Sequence, residues 1–141
     1  MKSIKYFIQF LIIFIFFLMF KVLGLNVASY ISGKIMSFIG PFFRSRQLIK
    51  SNILKALPNL DKDEIKKISN MMWSNYGRIL AEYVFIKQFR MSKIEENIEI
   101  IGQKKLEIIK ESNEPVIFIS GHFNNFELMA MHLEKSGINL A

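Results

Sequence analysis

The stretch PVIFISGHFNNFELMAMHLEKSG, residues 115–137, contains the clearest change of pattern in this sequence. Its first six residues, 115–120, are largely apolar and β-branched, which is typical of a strand buried on both faces of a sheet. The residues from Phe126 onward have the apolar spacing of a helix, and Gly137 is suited to end it. The stretch therefore predicts a strand, a polar turn and a helix.

The same alternation extends to both sides of this stretch. Residues 97–102 alternate like a short strand, residues 103–114 have a helical pattern, and residues 138–141 resemble the start of another strand. This β-α-β-α-β order predicts an α/β layered domain. Two strands and the start of a third leave edges that need neighbours. We therefore expect the front part of a larger fold, truncated here or completed by a second chain.

The N-terminal part predicts a membrane segment. Residues 6–25 are almost entirely apolar, and a helix of that length spans about 30 Å, the thickness of the hydrocarbon core of a bilayer. We predict a membrane anchor at residues 1–26. A cleaved signal peptide is the alternative, because Lys2 and Lys5 precede the apolar run.

The net charge of +7 arises in the N-terminal part of the chain. Residues 1–60 contain eight Lys or Arg and no acidic residue, whereas residues 61–141 contain eleven basic and twelve acidic residues. Basic residues beside an anchor are attracted to anionic lipid headgroups, and their bias predicts a single-pass protein whose C-terminal portion is cytoplasmic. We expect no nucleic-acid partner, because no base-reading motif accompanies the charge.

Residues 27–60 are predicted to form a basic amphipathic interfacial segment. Apolar residues recur at helical spacing up to Pro41, which interrupts a helix. The helix lies either in the membrane interface or on the core of the protein, and the sequence does not choose between them. The spaced residues are Val27, Ile31, Ile35, Phe38, Ile39 and Phe42.

Residues 61–141 are predicted to form the α/β domain, introduced by a helix that reaches Phe85. Asp61 and Glu64 have the spacing of a capping box, which satisfies the first free N–H groups of a helix. An apolar stripe that would face the core follows at Ile65, Ile68, Met72, Ile79, Leu80 and Tyr83.

His122 and Glu127 are the candidate catalytic residues. A separation of five residues does not place two side chains on one helix face, so the pair requires His122 in the turn and Glu127 in the first turn of the helix. A neutral imidazole there can remove a proton from a hydroxyl while the carboxylate holds its other N–H. A histidine that only caps the helix is the structural alternative.

Other chemistries fit the sequence less well. His122, Glu127 and His132 are spaced by five, whereas helical zinc ligands are spaced by four, so we expect no metal site. The absence of cysteine excludes thiolate catalysis. Ser120 lacks the Gly-x-Ser-x-Gly elbow of serine hydrolases.

The segment HFNNFE, residues 122–127, resembles the first catalytic block of the lipid A biosynthesis acyltransferases, the lauroyl and myristoyl transferases. Their pattern is typically His-Phe-Gly-Asn-Trp-Glu after a strand, so Asn125 matches. Asn124 stands where the pattern has glycine, and asparagine tolerates the left-handed backbone that glycine adopts better than most residues do. The resemblance extends upstream through an N-terminal membrane helix, a basic stretch and the helix that contains Glu82. Its matching residues in the basic stretch are Arg44, Arg46, Asn52 and Pro58.

This resemblance implies transfer of a fatty acyl chain from acyl carrier protein to a hydroxyl of a lipid A precursor. His122 would be the general base, Glu127 its partner, and Asn125 a substrate-binding residue. No cofactor is implied, since acyl carrier protein supplies the acyl donor as a substrate. The implied fold is a glycerolipid-acyltransferase-like α/β domain behind a transmembrane helix, at the cytoplasmic face of the inner membrane.

Members of that family are longer than this chain, and their later motifs have no counterpart in it. Two alternatives therefore stay open. The first is an acyltransferase that is inactive as the short chain or is completed by a second chain. The second is a truncated, non-catalytic remnant or adaptor associated with the membrane.

Overall fold

The computed structural model describes residues 2–91, 98–112, 114–121 and 123–140. The chain divides into two compact units, Met1–Phe85 and Ile86–Ala141. Within the described ranges the regular elements are helical: α1 Lys2–Leu23, α2 Leu25–Ile39, a short 3₁₀ helix Gly40–Phe42, α3 Arg46–Ala56, α4 Lys62–Tyr83, α5 Ile86–Arg90, α6 Gln103–Ser112 and α7 Glu127–Lys135.

Helix α1 has the length and composition needed to cross a membrane. The stretch Ile4–Leu23 has 20 residues with a mean hydropathy of 2.4, and only 6% of its apolar window is buried within the protein. A core helix of a soluble domain would be mostly buried, so the exposure favours an apolar environment outside the chain. The predicted apolar helix is present, and Gly24 separates it from α2 with a φ of 77°.

Helix α2 packs closely against α4 through small side chains. Ala28, Ser29, Ser32 and Gly33 are the buried residues of α2. A Cβ added at Gly77 of α4 would overlap the carbonyl oxygen of Ser32, so glycine is needed for the helices to approach this closely.

Several large apolar residues of α2 and the 3₁₀ helix lie outside this contact. Val27 is 47% exposed, Phe38 77% and Phe42 80%. The sequence left open whether residues 27–43 pack on the protein or face a membrane. In the structure the small-residue face packs on α4, and the large apolar side chains are left accessible. Pro41 lies in the 3₁₀ helix that follows α2, as its effect on a helix predicts.

Helix α4 begins as predicted but buries a different stripe. Asp61 Oδ1 accepts hydrogen bonds from the N–H groups of Asp63 and Glu64, both at 2.8 Å, and Glu64 Oε2 accepts one from the N–H of Asp61 at 2.9 Å. The capping box is therefore confirmed. The predicted core positions Leu80 and Tyr83 are wrong, because they are 48% and 37% exposed. The buried residues of α4 are Ile65, Trp73, Gly77 and Ala81.

The second unit consists of α5, α6, α7 and irregular segments. Helix α5 contacts α7, and the two helices bury Phe89 and Leu133 respectively. Helix α7 ends where the sequence predicted. The N–H of Gly137 donates to the carbonyl of Glu134 at 3.0 Å, that of Ile138 to the carbonyl of Leu133 at 3.1 Å, and Gly137 has a φ of 81°.

The predicted strands are not formed among the described residues of this unit. Residues 98–102, 114–121 and 138–140 have no strand assignment, and Ile117 and Ile119 are 87% and 92% exposed. The prediction that residues 115–120 are buried on both faces is therefore wrong for this structure. A strand needs a neighbouring ladder of backbone hydrogen bonds, and no such ladder joins the described parts of these segments. The α/β layered fold is not confirmed.

The division into an anchor at residues 1–26, an interfacial segment at 27–60 and a domain at 61–141 stays a prediction. Along the chain, the first compact unit ends at Phe85, since α4 packs on α2 within that unit.

Candidate active site

The turn before α7 contains the candidate residues and is held by short-range contacts. The N–H of Phe123 donates to the carbonyl of Gly121 at 2.8 Å, and the Phe123 ring occupies the space where a side chain at residue 121 would lie. His122 stands between these two residues and lies outside the described residues. Its place as a general base therefore stays a prediction.

Asn124 adopts a left-handed backbone. Its φ is 45°, and it is the one non-glycine residue with positive φ among the described parts of the chain. This is the position at which the resembled pattern has glycine. Glycine and asparagine are the residues that enter this conformation most readily, so the replacement preserves the turn.

Asn125 is buried at the base of the turn, with 9% of its surface exposed. Its carbonyl accepts a hydrogen bond from the N–H of Leu128 at 3.2 Å, and the carbonyl of Phe126 accepts one from Met129 at 3.1 Å. These bonds join the turn to the first turn of α7. They involve only backbone groups, so substrate binding by the Asn125 side chain stays a prediction.

Glu127 is the first residue of α7, and its side chain is exposed. The partial positive charge at the start of a helix stabilises a carboxylate there. Glu127 also lines a cavity of about 450 Å³ in the second unit, together with Arg90, Glu134 and Asn139. An exposed carboxylate in this position can accept an N–H from an imidazole in the preceding turn.

A charged pair that the sequence analysis missed lies in the same cavity. Arg90 Nη2 donates to Glu134 Oε1 at 2.6 Å, and both side chains are more than half exposed. Arg90 comes from α5 and Glu134 from α7, so no local spacing in the sequence could have paired them. Their pairing places a guanidinium beside the cavity that Glu127 lines.

His132 is engaged elsewhere in the second unit. Its Nε2 lies 2.8 Å from Oε1 of Gln103, at the start of α6, and 3.4 Å from Oγ of Ser136. The described residues contain no group of three or more His, Cys, Asp or Glu side chains arranged for a metal. His132 therefore joins α7 to α6 rather than extending a site with Glu127.

A sequence model of the bacterial lipid A biosynthesis acyltransferase family matches residues 1–141. No curated protein and no solved structure shows significant similarity to the chain. The match covers the apolar N-terminal helix, the basic segment and the turn before α7 in one alignment.

Proposed function

The chain belongs to the bacterial lipid A biosynthesis acyltransferase family, and on that premise we propose that it transfers a fatty acyl chain from acyl carrier protein to a hydroxyl of a lipid A precursor. The family match over the whole chain is the observation that carries this proposal. The acyl donor, the acceptor and the catalytic residues are the parts that experiment must test.

In the proposed step, the imidazole of His122 takes the proton from the acceptor hydroxyl as its oxygen attacks the thioester carbonyl of the donor. The tetrahedral intermediate collapses, the carbon–sulfur bond breaks, and an ester remains on the lipid. The thiolate of the carrier receives the proton from the imidazolium. Glu127 accepts the second N–H of the imidazole and stabilises its positive charge while the proton is held.

Two features of the described turn support this assignment. Glu127 begins α7 with an exposed side chain, as the arrangement requires. Asn124 supplies the left-handed backbone that a glycine would otherwise provide, so the replacement keeps this conformation ahead of the helix.

We further propose that α1 anchors the protein once in the inner membrane, with the rest of the chain in the cytoplasm. The mostly exposed stretch Ile4–Leu23 and the basic excess of residues 1–60 support this orientation. A basic surface would also attract an acidic carrier protein and a phosphorylated lipid. Reporter fusions after residue 60 that are active only in the periplasm would reverse the orientation.

The chain offers matched controls for both catalytic residues. His132 is the second histidine of the sequence, and Glu107 is an exposed glutamate of α6 that does not line the cavity of Glu127. The experiment measures transfer of labelled acyl chains from acyl carrier protein to a lipid A precursor by the full chain in membranes. We expect His122→Ala to slow transfer by about 10²- to 10⁴-fold.

Glu127→Gln should slow transfer in the same assay, because the amide cannot stabilise the imidazolium as a carboxylate does. His132→Gln, which keeps a hydrogen-bonding side chain near Gln103, and Glu107→Gln should stay close to the parent. A His122→Ala variant that matches the parent rate would remove the general base from the mechanism. A parent chain without any transfer would overturn the proposal and leave the non-catalytic alternative.

A further inference from the structure

The first unit contains an apolar groove that the acyl-transfer proposal does not use. It has a volume of about 460 Å³ and lies between α3 and α4, beside the end of α2 and the residues that follow the 3₁₀ helix. We call it the α3–α4 groove. Its apolar wall is formed by Met36, Phe43, Ile49, Ile53, Met72 and Trp73. The volume falls within the range of about 300–1,000 Å³ that is usual for small-ligand sites.

The polar residues of the groove have a definite chemical character. Arg44, Asn52 and Tyr76 complete its lining, so it contains one cation, two neutral hydrogen-bonding groups and no acidic residue. Arg44 is exposed and directly follows Phe43, which forms part of the apolar wall. A guanidinium recognises a phosphate through two parallel N–H donors. The groove therefore suits an apolar chain that carries a phosphate at one end.

The surface around the groove indicates where such a ligand would come from. Phe38, Phe42 and Phe43 are 77%, 80% and 72% exposed, and the same unit contains α1 with its mostly exposed apolar surface. Clustered large apolar side chains of this kind mark a contact with a membrane or a partner. The adjoining basic residues favour the anionic surface of a membrane.

We propose that the α3–α4 groove binds one acyl chain of an anionic membrane phospholipid, with Arg44 on its phosphate group. All residues that line the groove belong to the first unit, and none of them takes part in the acyl-transfer proposal. It does not depend on the acyl-transfer proposal. The bound lipid would attach the first unit to the membrane at a second place besides α1.

Trp73 provides a direct reporter of occupancy. It is the single tryptophan of the sequence, it lines the groove, and only 7% of its surface is exposed. Bromine atoms on a lipid acyl chain quench tryptophan fluorescence only at short range. Quenching of Trp73 therefore requires a brominated chain within the groove.

The experiment places the full chain in phosphatidylcholine vesicles that contain a small, increasing fraction of phosphatidylglycerol with brominated chains. In the reciprocal set of vesicles, here called the mirror-image set, the two lipids are exchanged. Brominated phosphatidylcholine is present at the same fractions in a phosphatidylglycerol background. We expect saturable quenching by brominated phosphatidylglycerol and much weaker quenching in the mirror-image set. Unlabelled phosphatidylglycerol should relieve the quenching.

Arg44→Gln should raise the fraction of phosphatidylglycerol needed for half-maximal quenching by about tenfold, the usual effect of losing one hydrogen-bonded charge contact. Arg46→Gln is the matched control, because Arg46 is also exposed and basic but does not line the groove. It should behave like the parent. Ile53→Phe should reduce quenching by both lipids, because the larger side chain fills the groove.

Equal quenching by the two brominated lipids, or quenching that does not saturate, would overturn the proposal. Equal effects of the two arginine substitutions would remove Arg44 from the site. A lipid A precursor that relieves quenching at a lower concentration than phosphatidylglycerol would reassign the groove to the substrate. His122→Ala should slow acyl transfer without changing the quenching of Trp73. The failure of one proposal would therefore not imply the failure of the other.

Discussion

Gly77→Ala tests whether the close contact between α2 and α4 holds the first unit together. An added Cβ would overlap the carbonyl oxygen of Ser32 and lie 2.7 Å from Cβ of Met36. Ordinary van der Waals contact begins at 3.4 Å. The helices would therefore have to separate by more than about 0.7 Å, the difference between those two distances, because the overlap with the Ser32 oxygen is the larger one.

Two opposing terms set the size of the effect. Alanine is a better helix former than glycine by about 1 kcal/mol, which favours the variant. Overpacking a close contact costs about 1–3 kcal/mol, and the upper part of that range applies here because one of the overlapping atoms belongs to the backbone and cannot rotate away. We expect Gly77→Ala to lower the free energy of unfolding by about 1–2 kcal/mol.

Unfolding of the full chain in detergent can be followed by the fluorescence of Trp73, which is buried one turn before Gly77. Gly33→Ala, in α2, is the control with a milder overlap. Its Cβ would meet Oγ of Ser74, which can rotate, at 2.9 Å and the carbonyl oxygen of Ser74 at 3.2 Å, so its overlap with backbone is smaller than at Gly77. It should be close to neutral. If Gly77→Ala proved as stable as Gly33→Ala, the close approach of α2 and α4 would not require glycine at residue 77.

Two further substitutions test local features. Asp61→Ala should lower the free energy of unfolding by about 1 kcal/mol because it removes the cap of α4, whereas Asp63→Ala, which leaves that cap in place, should have a smaller effect in the same fluorescence assay. Equal effects of the two would show that the capping box contributes nothing. Asn124→Ala should destabilise the turn by about 1–2 kcal/mol relative to Asn124→Gly, because φ is positive there. Hydrogen exchange at the N–H of Leu128 reports this difference, and faster exchange in the glycine variant than in the alanine variant would contradict it.

The features that the sequence predicted correctly depend on neighbouring residues. The capping box at Asp61 and Glu64, the end of α7 at Gly137 and the helix break at Pro41 are each determined within a few positions. Such signals act through the local backbone, and tertiary contacts change them little. The left-handed backbone at Asn124 is of the same kind.

The features that the sequence did not predict depend on residues far apart in the chain. Gly77 carries no apolar signal, yet it is buried because Ser32 of α2 lies against it. Residues 115–120 have the composition of a strand, but a strand forms only with a paired neighbour. At the candidate site, the charged pair of Arg90 and Glu134 joins two helices. Local spacing could indicate Glu127 but not the guanidinium in its cavity.

Gly24 has one more consequence, for the joint between α1 and α2. Its φ is 77°, yet a Cβ added there would find no atom within 4 Å. An L-residue at this position is therefore disfavoured by its backbone torsion and not by a lack of space around its Cβ. D-alanine, which prefers positive φ, would match the backbone torsion of this position, whereas L-alanine would be strained. The positive φ between α1 and α2 thus disfavours L-residues because of their chirality. A chemically synthesised chain with D-alanine at residue 24 should keep this backbone conformation.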